Sequence, residues 1–192
     1  MTGASRGVGQ GIAQELARSG YEAIGLVRDI ENYHVGPAIA VDISSAESLD
    51  VGLADLLART WRIDVLVLNA GVRRLAWQEA HDDEDWSESF AVNVTAPRRI
   101  LARLLPILRA SSALVCVIGS HAAWSAFEGG GAYSASKAAL RMVAETLRIE
   151  ERQSRLRVSY LDLGAVANRA GDRSPNKMSP RAVGQVVAAL AA

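Results

Sequence analysis

The stretch Thr2-Gly3-Ala4-Ser5-Arg6-Gly7-Val8-Gly9 places three glycines directly before an amphipathic segment in which Val8, Ile12 and Leu16 recur every fourth residue. Glycines let a backbone approach a bound group closely, and the helix that follows offers unpaired N–H groups at its positive end. The pattern therefore predicts a helix whose start binds the pyrophosphate of a dinucleotide. The glycine spacing differs from the common dinucleotide fingerprint, so a glycine-rich turn without a ligand stays open as the alternative.

Five short apolar runs alternate with helical patterns along the chain. Because these runs are apolar almost throughout, they are typical of parallel strands that are covered on both faces. The predicted strands are residues 23–27, 38–42, 63–69, 113–120 and 157–163. The predicted later helices are residues 46–59, 85–108, 133–151 and one that opens at Ser179-Pro180, and Pro106 is expected to bend or end the second of these. This alternation predicts one α/β domain over residues 1–192, a doubly wound parallel sheet whose strands end at one ligand-binding edge.

The composition excludes several classes of protein. Of the 192 residues, 49% are hydrophobic and 22% are charged, which is typical of a globular chain rather than a disordered one. Lys plus Arg and Asp plus Glu both number 21, so no net positive charge favours binding to nucleic acid or a membrane surface. No apolar run is long enough to span a membrane, and no signal segment opens the chain, which indicates a cytoplasmic protein. With Cys116 as the only cysteine and no histidines at metal-ligand spacing, neither a disulfide nor a metal site is expected.

Five stretches in order carry a family resemblance. The run Thr-Gly-x-x-x-Gly-x-Gly resembles the cofactor loop of the short-chain dehydrogenase/reductase superfamily, in its classical branch. The further stretches are Val41-Asp42-Ile43, then Leu68-Asn69-Ala70-Gly71 with Leu68 in place of an Asn, then Phe90-Ala-Val-Asn93, and finally Ser120 with Tyr133-x-x-x-Lys137. The resemblance extends from Thr2 to about Ala192, and it implies a Rossmann-like sheet and a nicotinamide coenzyme.

The catalytic residues that this resemblance implies are Asn93, Ser120, Tyr133 and Lys137. Tyr133 and Lys137 are four residues apart on a predicted helix, so they share one face, and an ammonium beside a phenol favours proton transfer at a carbonyl or alcohol oxygen. Ser120 ends an apolar strand, where its hydroxyl can orient the substrate oxygen. By resemblance, Lys137 also holds the nicotinamide ribose, and Asn93 keeps a water beside the lysine.

The coenzyme contacts are expected from both halves of the chain. They comprise Gly3, Ser5, Arg6, Gly7, Val8, Arg28, Asp42, Ile43, Asn69, Ala70, Gly71, Tyr133, Lys137, Gly164 and Val166. Arg28 follows a predicted strand, where a guanidinium can pair with the 2′-phosphate of NADP with help from Arg6. Asp29 could instead accept from the ribose hydroxyls of NAD, so NAD remains the alternative coenzyme.

The resulting hypothesis is an NADP-dependent oxidoreductase that interconverts a small carbonyl compound and an alcohol. The alternative is a coenzyme-binding relative with weak catalysis, acting as a sensor or interaction protein. The short segment over residues 169–178, where a substrate lid is usual, and the strands missing at the two ends favour this alternative. The intact set of Asn93, Ser120, Tyr133 and Lys137 argues against it. Two further departures from the family pattern are Leu163-Gly164 in place of Pro-Gly and Asn168 in place of a frequent Thr.

Both ends of the chain are short by comparison with the family. Only Met1 and Thr2 precede Gly3, so the central first strand is expected to be largely missing. Its absence would leave the inner edges of strands 23–27 and 63–69 unpaired, or the gap would be closed by an unusual pairing. A seventh strand is also missing. Since one common family interface uses that strand, we expect a homodimer through helices 85–108 and 133–151 rather than a tetramer.

Overall fold

The computed structural model describes residues 1–167, 174 and 176–192. Its regular elements alternate along the chain. In order they are α1 (Gly7–Arg18), β1 (Gly25–Val27), β2 (Ala38–Ala40), α2 (Ala46–Arg59), β3 (Val65–Leu68), α3 (Asp83–Phe90), α4 (Ala96–Ala110), β4 (Leu114–Ile118), α5 (Gly131–Glu150), β5 (Arg157–Leu161) and α6 (Pro180–Ala191). A π-helical turn, Ala91–Thr95, joins α3 to α4.

The strands form two parallel sets, β1–β2 and β3–β4–β5. Leu26 pairs with Ile39, and Val67 pairs with Cys116. Every described strand pair is parallel, and α-helices connect β2 to β3, β3 to β4 and β4 to β5, which confirms the predicted α/β architecture. The strands end earlier than predicted, so the polar residues expected at their carboxyl ends lie in loops just beyond the ladder. This places those side chains together at one edge of the sheet.

The gap between β1 and β3 is closed by the first residues of the chain. The carbonyl of Met1 accepts from Leu26 N–H at 2.8 Å, and Gly3 N–H donates to the Leu26 carbonyl at 3.3 Å. On the other side, Thr2 N–H donates to the Val67 carbonyl at 3.0 Å. The expectation of unpaired inner edges is therefore wrong at these positions. Met1 to Gly3 lie where the first strand was expected and join the two sets of strands.

The core lies on both faces of the sheet. In β4, Val115 and Val117 face a large cluster that includes Ile100 and Leu104 of α4 and Leu140 of α5. The alternate residues Leu114, Cys116 and Ile118 face a second cluster, which α1 and α6 cover with Ile12, Leu16, Val183 and Val187. All five residues of β4 are buried, which explains their continuous hydrophobicity.

The predicted helix 85–108 is wrong as a single element. The chain forms α3 from Asp83, whose first turn follows the Asp82 side chain accepting from Asp85 N–H at 2.8 Å. It then widens into the π turn Ala91–Thr95, where Ala96 N–H bonds to the Ala91 carbonyl five residues earlier. Pro97 lacks the N–H that would bond to the Asn93 carbonyl in an α-helix, and this favours the wider turn.

Pro106 does not end α4, contrary to one part of the expectation, because the helix continues to Ala110. Proline removes the hydrogen bond to the carbonyl four residues earlier, which belongs to Ala102. Ala102 and Pro106 are both exposed, so water can hydrogen-bond to that carbonyl. No helix in the described part of the chain is long and apolar enough to cross a membrane.

Candidate active site

The glycine loop forms a cradle in front of α1. Gly3 and Gly7 have φ angles of +63° and +53°, a region that side chains disfavour. A Cβ on Gly9 would lie 2.0 Å from the Gly3 carbonyl oxygen, so only glycine fits there. Arg6 precedes the helix without a side-chain cap, and the first turn of α1 contains no acidic residue. The N–H groups of that turn are therefore available to an anion.

Asn69 ties this loop to the end of β3. Its side-chain amide donates to the carbonyls of Thr2 and Gly3 at 3.3 and 3.0 Å. In return, the Thr2 hydroxyl accepts from the backbone N–H groups of Asn69 and Ala70, both at 3.1 Å. The amide of Asn69 thus positions the glycine loop, a part that the sequence did not assign to it. Thr2 is a second positioning residue that the sequence analysis missed.

A charged edge follows β1 and β2. The Ser44 hydroxyl and backbone N–H donate to Asp42 Oδ1 at 2.7 and 3.0 Å, and these bonds lower the pKa of Asp42. Arg28 is exposed just beyond β1, and its positive charge lowers the same pKa further. Asp29 instead accepts from Glu31 N–H at 3.0 Å and from the Asn32 amide, so it caps the short 3-10 turn Ile30–Asn32. Among the residues that the structure describes, Asp29 is thus hydrogen-bonded, whereas Arg28 makes no hydrogen bond or ion pair.

Asn93 organises the buried end of the site. It is fully buried in the π turn, where its Oδ1 accepts from Val72 N–H at 2.9 Å. Its Nδ2 donates to the Val72 carbonyl at 3.0 Å and to Ser136 Oγ at 2.9 Å. Ser136 Oγ donates in turn to the Tyr133 carbonyl at 2.7 Å. Asn93 therefore fastens the loop after β3 to the first turns of α5.

Lys137 lies in the same cluster. Its side chain is 4% exposed, and its Nζ donates to the Ile118 carbonyl at 3.1 Å. A Cβ on Gly71 would lie 3.0 Å from Asn93 Oδ1 and 3.5 Å from Lys137 Nζ, so Gly71 opens the space between them. Burial lowers the pKa of Lys137 from 10.5 to about 8. The ammonium is still the main form at neutral pH, and only one of its three donors is used by Ile118.

Ser120 and Tyr133 border the open side of this cluster. The Ser120 hydroxyl accepts from Ala122 N–H at 3.2 Å and begins the 3-10 turn His121–Ala123. Within the described residues, no hydrogen bond joins the hydroxyls of Ser120 and Tyr133. Both residues are half-buried, so neither side chain is enclosed in the core.

A cavity of about 370 Å³ lies beside Ser134, the residue that follows Tyr133 on α5. It lies between the loop after β3 and the loop after Ser120, and Ser134 forms part of its wall. Its lining residues are Ala76, Trp77, Gln78, Ala126, Phe127, Gly129, Gly130, Gly131 and Ser134. The aromatic and small side chains suit the apolar part of an organic substrate. A second cleft, of about 350 Å³ beside Asp50 and Arg103, contains none of the predicted site residues.

The remaining predicted contacts lie after β5. Val166 forms a parallel bridge with Met178, and Ala167 N–H donates to the Met178 carbonyl at 2.9 Å. Gly164 is exposed, and a Cβ there would meet nothing within 4 Å. Asn168 and most of the short segment 169–178 lie outside the described residues. His121 lies 3.9 Å from Asp162 through Nδ1, at an exposed position.

Two residues near the site carried no clear signal in the sequence. Ser136 bridges Asn93 and Tyr133, and only the spacing of one helical turn could have pointed to it. Tyr160 covers Gly119, since a Cβ on that glycine would lie 2.1 Å from the tyrosine Cζ. The glycine before Ser120 therefore makes room for the Tyr160 ring.

Comparison with known proteins identifies the family. The short chain dehydrogenase family model matches residues 1–178. The chain belongs to the short-chain dehydrogenase family. This short-chain dehydrogenase is thus an oxidoreductase of the class that acts on CH–OH groups, as its relatives named dehydrogenases and reductases indicate.

Curated relatives of this short-chain dehydrogenase have varied substrates. The rhamnolipids biosynthesis 3-oxoacyl-[acyl-carrier-protein] reductase of Pseudomonas aeruginosa is 35% identical over 188 residues, which cover 88% of this chain and 72% of that protein. Serine 3-dehydrogenase of Rhizobium radiobacter is 32% identical over 176 residues, 85% of this chain and 70% of that protein. The chain spans from 64% to 77% of the length of curated relatives of this kind.

Solved structures confirm the Rossmann-like fold. An alcohol dehydrogenase from the archaeon Thermococcus sibiricus, complexed with 5-hydroxy-NADP, has a TM-score of 0.91 at 28% identity, covering 99% of this chain and 88% of that one. The RhlG/NADP active-site complex from Pseudomonas aeruginosa has a TM-score of 0.89 at 30% identity, covering 99% of this chain and 87% of that one. NADP complexes thus occur among the neighbours of this fold.

Proposed function

We propose that this short-chain dehydrogenase uses NADP(H) to interconvert a carbonyl compound and an alcohol, with Tyr133 as the general acid/base. The observation that carries the proposal is the buried Lys137 ammonium, held by the Ile118 carbonyl beside Asn93 and one helical turn after Tyr133. Burying a cation costs folding free energy, so a buried ammonium with a shifted pKa in a cluster of polar side chains indicates a functional group. Tyr133, whose neighbour Ser134 lines the cavity of about 370 Å³, supplies the matching proton donor.

The residues present fit a nicotinamide dinucleotide. The cradle of Gly3, Gly7 and Gly9 leaves room for a pyrophosphate at the start of α1, where the helix N–H groups are unpaired. In this proposal Asp42 and Ile43 would contact the adenine, and Gly71 would contact the middle of the coenzyme. When bound, the coenzyme supplies or accepts the hydride.

The protein residues manage the proton and the position of the substrate. In the reducing direction, Tyr133 Oη gives its proton to the oxygen that becomes the alcohol, and Ser120 Oγ donates a hydrogen bond that holds this oxygen. The Lys137 ammonium stabilises the phenolate that remains, and its unused N–H donors can bond to ribose hydroxyls. Asn93 supports the relay by fixing Ser136 and the loop at Val72.

The preference for NADP is proposed from Arg28. Its guanidinium is exposed at the edge of the sheet beside Asp42, where it can pair with a 2′-phosphate. Asp29 would have to give up its bonds to Glu31 and Asn32 before it could accept from the ribose hydroxyls of NAD. This capping favours NADP over NAD.

A coenzyme titration tests this proposal. Replacing Arg28 with Ala should weaken NADPH binding by about 1–3 kcal/mol, the value of a charge-assisted bond, while NADH affinity stays nearly constant. Asp29→Ala is the matched control and should not strengthen NADPH binding by a comparable amount. Equal losses for both coenzymes in Arg28→Ala would make this arginine structural. Consumption of NADPH with a panel of ketones and diketones then tests for the reaction itself.

We further propose a homodimer formed by α4 and α5. The exposed side of α5 carries Met142 and Ile149, which are 52% and 59% exposed and lie seven residues apart on one helix face. Exposed apolar side chains in a row are typical of an interface. Light scattering should give twice the chain mass, and Met142→Asp should give the monomer. A stable tetramer would contradict this arrangement.

A further inference from the structure

Arg141 extends the row of polar residues on the catalytic helix. Tyr133, Lys137 and Arg141 follow each other at intervals of four residues on α5, so they lie along one face. The proposed reaction uses the first two side chains and leaves the third without a role. Arg141 is half-buried, although charged side chains near a site normally have a partner or full solvation.

The Arg141 guanidinium lacks an anion. Its Cζ lies 3.4 Å from the centre of the Trp124 ring, so the group is held flat against the loop that follows Ser120. Its Nε is buried and has no hydrogen-bond partner, and within the described residues Arg141 takes part in no ion pair. A stacked guanidinium presents its donors in one plane, which matches the geometry of a carboxylate.

The Tyr160 hydroxyl is a second unpartnered group in the same place. Its Oη is buried without a hydrogen-bond partner, and its ring lies against Gly119, the residue before Ser120. Burial raises the pKa of Tyr160, while the nearby backbone N–H of Ser120 and then the charge of Arg141 act to lower it. The net shift is upward, so the hydroxyl keeps its proton at physiological pH and can donate it to a ligand.

We propose that Arg141 and Tyr160 form a carboxylate-binding subsite beside Ser120 and Tyr133, so that the substrate is an oxo acid or the corresponding hydroxy acid. Among the described residues, Arg141 Nε and Tyr160 Oη are both buried without a hydrogen-bond partner, and a carboxylate offers two oxygens to accept from such donors. The proposal rests on the proposed carbonyl chemistry, because Tyr133 and Ser120 must bind the other end of the same molecule.

Binding to a complex that cannot react tests the subsite. The protein is saturated with NADP⁺, which cannot reduce a ketone, and is titrated by calorimetry with three acids: 2-oxobutanoate, 3-oxobutanoate and 4-oxopentanoate. Each acid is paired with its methyl ester, which keeps the carbonyl group and removes the charge. At least one acid should bind the parent about tenfold more tightly than its ester, because a charge-assisted bond is worth about tenfold or more.

Two variants assign the effect to named side chains. Arg141→Met keeps most of the packing and removes the charge, and it should lower the acid-to-ester affinity ratio about tenfold or more. Tyr160→Phe should lower the same ratio through the loss of one hydroxyl. Arg148→Met removes an exposed arginine of the same helix, which pairs with Glu145, and should leave the ratio unchanged.

Equal affinity of acid and ester for the parent would overturn the subsite, as would an unchanged ratio in Arg141→Met. The proposed function is judged separately by NADPH consumption with the three esters. Failure of all esters to be reduced counts against the carbonyl chemistry, whereas reduction of an ester without any preference for the acid counts against the subsite alone.

Discussion

Burial of the Lys137 ammonium should lower the free energy of unfolding, and a neutral side chain at this position should raise it again. Its pKa falls from 10.5 in the unfolded chain to about 8 in the folded protein. At about 1.4 kcal/mol for each tenfold change in proton affinity, the charged form costs about 3 kcal/mol of folding free energy at neutral pH. Methionine has a similar stem and no charge. Lys137→Met should therefore raise the free energy of unfolding by about 2–3 kcal/mol at pH 7, while it removes activity.

The stability difference between Lys137→Met and the parent should also change with pH in a defined direction. Below pH 8, Lys137 is charged in both states and the full penalty applies. Between pH 8 and 10.5, the unfolded chain binds more protons than the folded protein, so the parent gains stability as the pH rises. The advantage of Lys137→Met should therefore shrink between pH 8 and pH 10.

Urea unfolding followed by tryptophan fluorescence, at pH 7 and pH 9.5 without coenzyme, measures both effects. Arg103→Met is the control, because it removes an exposed cation of α4 and should change stability by less than about 0.5 kcal/mol. If Lys137→Met is no more stable than the parent at pH 7, or if its advantage does not change with pH, the buried-ammonium argument is refuted.

Two further predictions concern packing around β4. Gly119→Ala should destabilise the protein by about 1–3 kcal/mol, because the new Cβ would lie 2.1 Å from Tyr160 Cζ. Adding Tyr160→Val to this variant removes the clash and should recover most of the loss in melting temperature. An additive loss in the double variant would show that the two residues do not interact. Cys116 is fully buried, and burial raises the pKa of its thiol to about 12, so a thiol reagent such as Ellman's reagent should modify it only as fast as the protein unfolds. Rapid modification of the native protein would contradict this burial.

The sequence predicted the parallel α/β architecture well because buried strands and amphipathic helices leave strong local patterns. The continuous apolar residues of β4 and the repeated leucines of α2 are of this kind. The strand ends were less accurate, since a strand stops where its neighbour stops, and this is a property of the pairing rather than of one segment. The closure of the gap by Met1 and Thr2 depends on both neighbouring strands and has no local signal.

In the candidate site, too, features with a local sequence pattern were predicted and features that depend on several segments were not. The family resemblance predicted Asn93, Tyr133 and Lys137 as site residues, yet no pattern indicated that Ser136 links Asn93 to the Tyr133 carbonyl. The π turn could have been suspected from Pro97, which denies a hydrogen bond to Asn93. Arg141 and Trp124 are seventeen residues apart, and only the folded loop brings them together.

The central claim is that Tyr133 transfers a proton during NADPH-dependent reduction of a carbonyl group. The most direct measurement compares NADPH oxidation, followed by absorbance with a reactive diketone, between the parent and Tyr133→Phe. Phenylalanine keeps the ring and removes only the hydroxyl, so turnover should fall by about 100-fold or more, with NADPH affinity nearly unchanged. Turnover within a few-fold of the parent would contradict the account, because the proton would then have another source.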